Sequence, residues 1–99
     1  MQTNPNEIIR VHIWVKGRVQ AVGFRAHVEY YSLQIGVFGW VRNIGRDTVE
    51  AVAEGTREQI DQFIAMVKTG PPASRVDNAY VEYESTTGRL DGFNVKNSL

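Results

Sequence analysis

Between Glu7 and Ile35 the apolar residues change their period once, and that change limits the folds open to this chain. Ile9, Val11, Ile13 and Val15 alternate with Arg10, His12, Trp14 and Lys16, which is the period of a half-buried strand over Glu7 to Lys16. Phe24, Val28, Tyr31 and Ile35 then recur at helical spacing, and Gly36 stands where a helix would stop. The segment joining the two patterns, Gly17 to Gly23, is punctuated by glycine. A strand that leads directly into an amphipathic helix buries both apolar faces by laying the helix over the sheet.

The rest of the chain extends this pattern. Val37 to Arg42 and Thr48 to Val52 are rich in β-branched residues, and the first of them also carries aromatics. The residues between, Asn43-Ile44-Gly45-Arg46-Asp47, have turn chemistry, so the two read as a β-hairpin. Thr56, with Gln59 three residues on, offers a capping box for a helix carrying Ile60, Phe63, Ile64 and Val67, which Gly70-Pro71-Pro72 ends. Val76 to Glu84 alternates again, and Phe93 and Val95 suggest a short final strand or edge. The order is β-α-β-β-α-β. Right-handed crossovers then give an α+β, ferredoxin-like two-layer sandwich: an antiparallel sheet with two helices on one face. Residues 1–6 are expected to be a flexible polar N-terminal tail and 7–99 a single domain. The fold alone names no function, because it hosts enzymes, RNA-binding modules and regulatory domains.

Composition narrows the classes. The 99 residues carry 11 basic and 11 acidic side chains, so no long-range field draws the chain to nucleic acid or an anionic membrane. Cysteine is absent, which removes disulfides and thiolate metal sites and fits a reducing cytoplasm. No run approaches the roughly 18 apolar residues of a transmembrane helix, and Met1 to Asn6 lacks the apolar stretch of a signal peptide. A cytoplasmic monomer that binds neither membrane nor nucleic acid is the expectation.

The segment with chemical content is Gly17-Arg18-Val19-Gln20-Ala21-Val22-Gly23-Phe24-Arg25. A strand-to-helix loop leaves N–H groups unpaired at the first helical turn, and with the helix dipole they attract an anion. Arg25 falls in that turn, where a guanidinium fork takes two phosphate oxygens. No Gly-Lys-Ser/Thr follows, so the loop does not imply nucleotide with Mg²⁺. Read alone, such glycines are also ordinary turn formers, and such an arginine an ordinary surface charge.

Gly17 to Arg25 resembles the first signature of the acylphosphatase family. Gly39-Trp40-Val41-Arg42-Asn43, followed by Val49-Glu50 and Gly55, is similar to its second. The resemblance runs from about Ile8 to Phe93 in the family's order of elements. It implies a hydrolase that cleaves small-molecule acyl phosphates to carboxylate and inorganic phosphate, with no metal or other cofactor. It places Arg25 at the phosphate-binding arginine and Asn43 at the asparagine that orients water. It also implies a cradle formed by the amides of Gln20, Ala21, Val22, Gly23 and Phe24. Connectivity alone does not bring Asn43 to the cradle.

Two positions depart from the signatures. Ala21 stands in place of a glycine, and if its backbone is left-handed the methyl costs about 1–2 kcal/mol. Asp47 replaces a second glycine in the hairpin, where aspartate tolerates positive φ. His12 and His27, without ligand-spaced partners, read as structural residues, and Trp14 and Trp40 as packing. Arg18 and Arg42 are either cations around the phosphate or plain surface charges. Two rival readings remain at this stage. One is a phosphate-binding module that hydrolyses slowly. The other is an RNA-binding domain, which the aromatic-free strand from Thr48 to Glu54 disfavours.

Overall fold

The computed structural model describes residues 4–99. The order is β1 (Ile9–Arg18), α1 (Phe24–Ile35), β2 (Phe38–Ile44), β3 (Thr48–Gly55), α2 (Arg57–Thr69), β4 (Arg75–Glu84) and β5 (Phe93–Val95). Of the tail expected over residues 1–6, the first three lie outside the described residues. Asn4 to Asn6 are exposed, and the Asn4 carbonyl accepts from Glu7 N–H at 3.0 Å.

The strands lie in the order β4-β1-β3-β2-β5. β1, β3, β2 and β4 pair antiparallel, as the pattern predicts, and the short β5 adds one parallel pairing along β2. Beyond β5 the chain stays on that edge. Lys96 N–H donates to the Val41 carbonyl at 2.8 Å, and Leu99 N–H to the Asn43 carbonyl at 3.0 Å.

The period-two reading of β1 holds residue by residue. Val11, Ile13 and Val15 are fully buried and meet Val49, Ala51 and Ala53 of β3 on the helix-covered face. Phe24 and Val28 of α1, and Ile60, Phe63 and Val67 of α2, close the same core. Both helices end as the sequence signals. Gly36 N–H donates to the Ser32 carbonyl at 2.9 Å after α1. Thr56 and Gln59 form the reciprocal capping box of α2, at 3.3 and 2.9 Å. Gly39 is required by close approach, since a Cβ there would lie 1.9 Å from the Val52 carbonyl oxygen.

The hairpin turn is tighter than the expected five residues. Asn43 and Ile44 belong to β2, paired with Val49 and Thr48, and only residues 45–47 turn. Ladder pairing to β3 overrides the turn preference of Asn43. The left-handed residue of the turn is Gly45, and Asp47 does not need positive φ. Its carbonyl accepts from Gly17 N–H at 3.0 Å, tying the hairpin to β1.

The sheet face away from the helices is polar but closed. His12 stacks on Trp14 with ring centroids 3.8 Å apart. Its Nε2 lies 2.7 Å from Glu50 and its Nδ1 2.9 Å from Glu84. Arg42 reaches Glu50 at 2.6 Å, and Arg10 bridges Glu54 and Glu84 at 3.0 Å each. A line of polar contacts, from Glu84 through His12 and Glu50 to Arg42, therefore crosses four strands. His12 is structural, as the sequence suggests, and Arg42 belongs to this network, lying 4.9 Å over the Trp40 ring.

Candidate active site

Gly23 is the N-cap of α1, with φ 78° and ψ 20°, and a glycine meets this left-handed demand without a side-chain penalty. No side chain caps the helix, and its first turn contains no acidic residue. The first-turn amides of α1 have no intrahelical acceptor, and among the described residues no backbone acceptor takes the N–H groups of residues 20–23. The site is thus a row of unclaimed donors at the positive end of a helix.

Ala21, before that cap, is the one non-glycine residue with positive φ among the described residues, at 59°. The left-handed alternative raised by the sequence is therefore the observed one. The alanine carries a strain that glycine at this signature position would not.

A cavity of about 300 Å³ opens over this loop. Ala21, Gly23, Phe24 and Arg25 line it on the loop and helix side, and Asn43 and Val95 on the sheet side. The proximity of Asn43, which connectivity left open, follows from register. Asn43 pairs with Val49, and Val49 with Val15 near the end of β1. Asn43 is also two residues beyond Val41 on the helix-covered face, so it meets the loop from across β3. Its Oδ1 is buried and accepts no hydrogen bond, an orphan acceptor of the kind that folded proteins rarely leave.

Arg25 has no carboxylate partner among the described residues. Of the remaining expected cradle residues, Gln20 and Val22 do not line the cavity. Val22 packs against the core. The Gln20 side chain reaches sideways, and its Nε2 donates to the carbonyls of Ile44, Gly45 and Thr48 at 3.2, 3.1 and 3.0 Å. Arg18 is not part of the lining either. Glu29, one turn beyond Arg25 on α1, does line the cavity. Its i,i+4 spacing from Arg25 was the available sequence signal. Val95 had none, because nothing local told which strand its short segment would join.

Among the described residues, the only titration shift close to this end of α1 belongs to His27. Burial against Phe24 and Tyr31 lowers its pKa below the ordinary imidazole value. The other shifts lie across the sheet. Glu84 is held below the usual carboxylate range by His12 and then by Arg10. Glu54 is also lowered: burial pushes it up, but the Thr87 N–H and Arg10 outweigh that.

Known proteins resemble this chain in sequence and fold. A family model, acylphosphatase, matches residues 11–95. An acylphosphatase of Trichormus variabilis is 46% identical over 94 residues, covering 95% of this chain and 92% of its own length. Among solved structures, the acylphosphatase of Bacillus subtilis superposes with a TM-score of 0.84 at 33% identity, covering 89% of this chain and 98% of that one. That of Coxiella burnetii gives 0.85 at 32%, covering 92% and 94%. The family match over residues 11–95, the identity to these relatives over nearly the whole length and the shared fold show that the chain belongs to the acylphosphatase family.

Proposed function

We propose that this acylphosphatase holds the phosphoryl group of its substrate in the 20–24 loop amides and the Arg25 fork, while Asn43 places the attacking water. The observation that carries this reading is the buried, partnerless Oδ1 of Asn43, a residue that lines the same cavity as Arg25 and the loop residues Ala21, Gly23 and Phe24. A carbonyl oxygen there accepts a hydrogen from water and aims its lone pair at phosphorus. Water forms the new P–O bond as the bond from phosphorus to the acyl oxygen breaks. The bonding pair leaves on the carboxylate, and the proton of water passes to phosphate or solvent. A carboxylic acid has a pKa near ~4, so the leaving group departs without a general acid. Catalysis then reduces to positioning and to spreading charge over the equatorial oxygens, tasks that amides and a guanidinium perform.

A small cradle that grips only the phosphate, through charge and backbone, leaves the acyl group weakly selected, which supports broad acceptance of small acyl phosphates. The cysteine-free composition supports a cytoplasmic setting. The test is hydrolysis of benzoyl phosphate followed by ultraviolet absorbance. The parent is expected to turn over well above the uncatalysed rate. Arg25→Gln and Asn43→Ala are each expected to lose about 100-fold or more, the scale of one lost transition-state contact. A folded parent that binds phosphate without turnover would instead support a phosphate-binding module, and absence of binding would remove the site.

A further inference from the structure

We propose that Gln20 is a positioning residue: its side chain fixes the β2–β3 hairpin against the loop and thereby sets where Asn43 presents its oxygen. The inference rests on the water-orienting role of Asn43 given above. Three carbonyls, from Ile44, Gly45 and Thr48, converge on one Nε2 at 3.2, 3.1 and 3.0 Å. The carbonyls turn inward because the chain reverses within residues 45–47 around the left-handed Gly45. Without a donor between them, three dipoles of the same sign would face one another, and the hairpin end would spread. A primary amide supplies two hydrogens, enough for three acceptors when one is shared.

The first acceptor is the residue next to Asn43, so movement of the hairpin end moves the orphan oxygen directly. The donor comes from the loop that carries the unclaimed amides, so one side chain spans the two halves of the site. A second strut, Gly17 N–H to the Asp47 carbonyl at 3.0 Å, joins β1 to the far side of the same turn. With that strut left in place, loss of Gln20 would let the hairpin pivot rather than detach.

The experiment is a double-mutant cycle with Gln20→Met and Asn43→Ala on benzoyl phosphate, read together with inhibition by inorganic phosphate. Gln20→Met is expected to lower kcat about fivefold to tenfold, the scale of one lost hydrogen bond, with KM and the phosphate inhibition constant changed less than about twofold. In the Asn43→Ala background the same substitution is expected to cost less than about twofold, because the residue it positions is gone. The Asn43 side-chain amide resonance is expected to move in Gln20→Met without substrate present. Losses that multiply across the cycle, or phosphate inhibition that weakens in step with kcat, would overturn the proposal. So would an unchanged kcat with an unmoved Asn43 resonance. If Asn43→Ala keeps the parent's kcat, the water-orienting reading fails instead, and the resonance alone then decides whether Gln20 holds Asn43. Gln20→Asn, one methylene short but still an amide, gives the same comparison should the methionine variant not fold.

Discussion

Replacing Ala21 by glycine is expected to stabilise this protein, although glycine substitutions usually do the opposite. Ala21 holds φ 59°, and an L-residue pays about 1–2 kcal/mol for left-handed backbone. Its methyl is exposed, so removing it forfeits no core packing. Glycine adds freedom to the unfolded chain, which offsets about 0.4–1 kcal/mol of the gain. The balance is a net gain of about 0.5–1 kcal/mol. For a domain of this size that corresponds to a rise in Tm of about 2–8 °C, and to about 0.3–1 M in the urea midpoint with the slope unchanged. Calorimetry and urea titration of the parent, Ala21→Gly and Ala21→Val measure it. The valine variant should move the other way, because a β-branched residue fits left-handed backbone worse still. The residue also lines the cavity, so a kcat within about threefold of the parent would show that strain there serves the fold's history rather than turnover. A lower Tm for the glycine variant, or equal Tm for glycine and valine, would refute the argument that this backbone is strained.

Other expectations follow from single features. Ser32 is fully buried with an Oγ that bonds to nothing, so Ser32→Ala should stabilise by about 0.5–1.5 kcal/mol through helix propensity and relief of a desolvated hydroxyl; a destabilised variant in a urea titration would sink this. Gly39→Ala should cost about 3 kcal/mol or more, since its Cβ would lie 1.9 Å from backbone oxygen of Val52; near-parental stability would show that β2 shifts freely. Glu54 and Glu84 titrate below their ordinary range when folded. Their contribution is therefore present above the ordinary glutamate pKa of ~4.3 and drains away as pH falls through the lower folded values. Glu54→Gln should lose about 1–2 kcal/mol at pH 6 and show a flatter decline toward pH 3, measured by urea midpoints across pH. His27 is lowered as well, so its contribution is present above about 6.5 and is lost as pH falls through its folded value; His27→Gln should flatten that part of the profile alone.

What the sequence revealed and what it hid divide along contact distance. The alternation of Ile9 to Val15, the helical spacing of Phe24 to Ile35 before Gly36, and the Thr56–Gln59 capping box are local, and each element appears in the structure, though Tyr31 of the helical set is exposed and Ser32 is buried beside Phe24 and Val28 instead. The loop chemistry around Arg25 is local too. Asn43 reads as turn in the sequence but belongs to β2, because its own preference is local while its pairing with Val49 is not. The bridging of His12 joins residues 38 and 72 positions apart, beyond the reach of any spacing rule. The sideways reach of Gln20 depends on where the hairpin lands. Only the resemblance to a family placed Asn43 beside the cradle, and register through β3 supplies the physical reason.

The parallel run of β5 and the residues after it along β2 has a consequence for how copies of this chain meet. Unpaired strand edges are templates for growth by strand addition. The β2 sequence, with Phe38, Trp40, Val41 and Ile44, would be a sticky one, and β5 occupies part of it while the chain beyond, through Leu99, bonds as far as the hairpin. The outer edges among the described strands are then the three-residue β5, too short to template much pairing, and β4, where Arg75, Asp77, Glu82 and Glu84 interrupt the run and act as gatekeepers against edge-to-edge pairing. The last few residues thus shield the strand that carries Asn43 to the cavity, so the same contacts that cover an adhesive edge also hold one wall of the site.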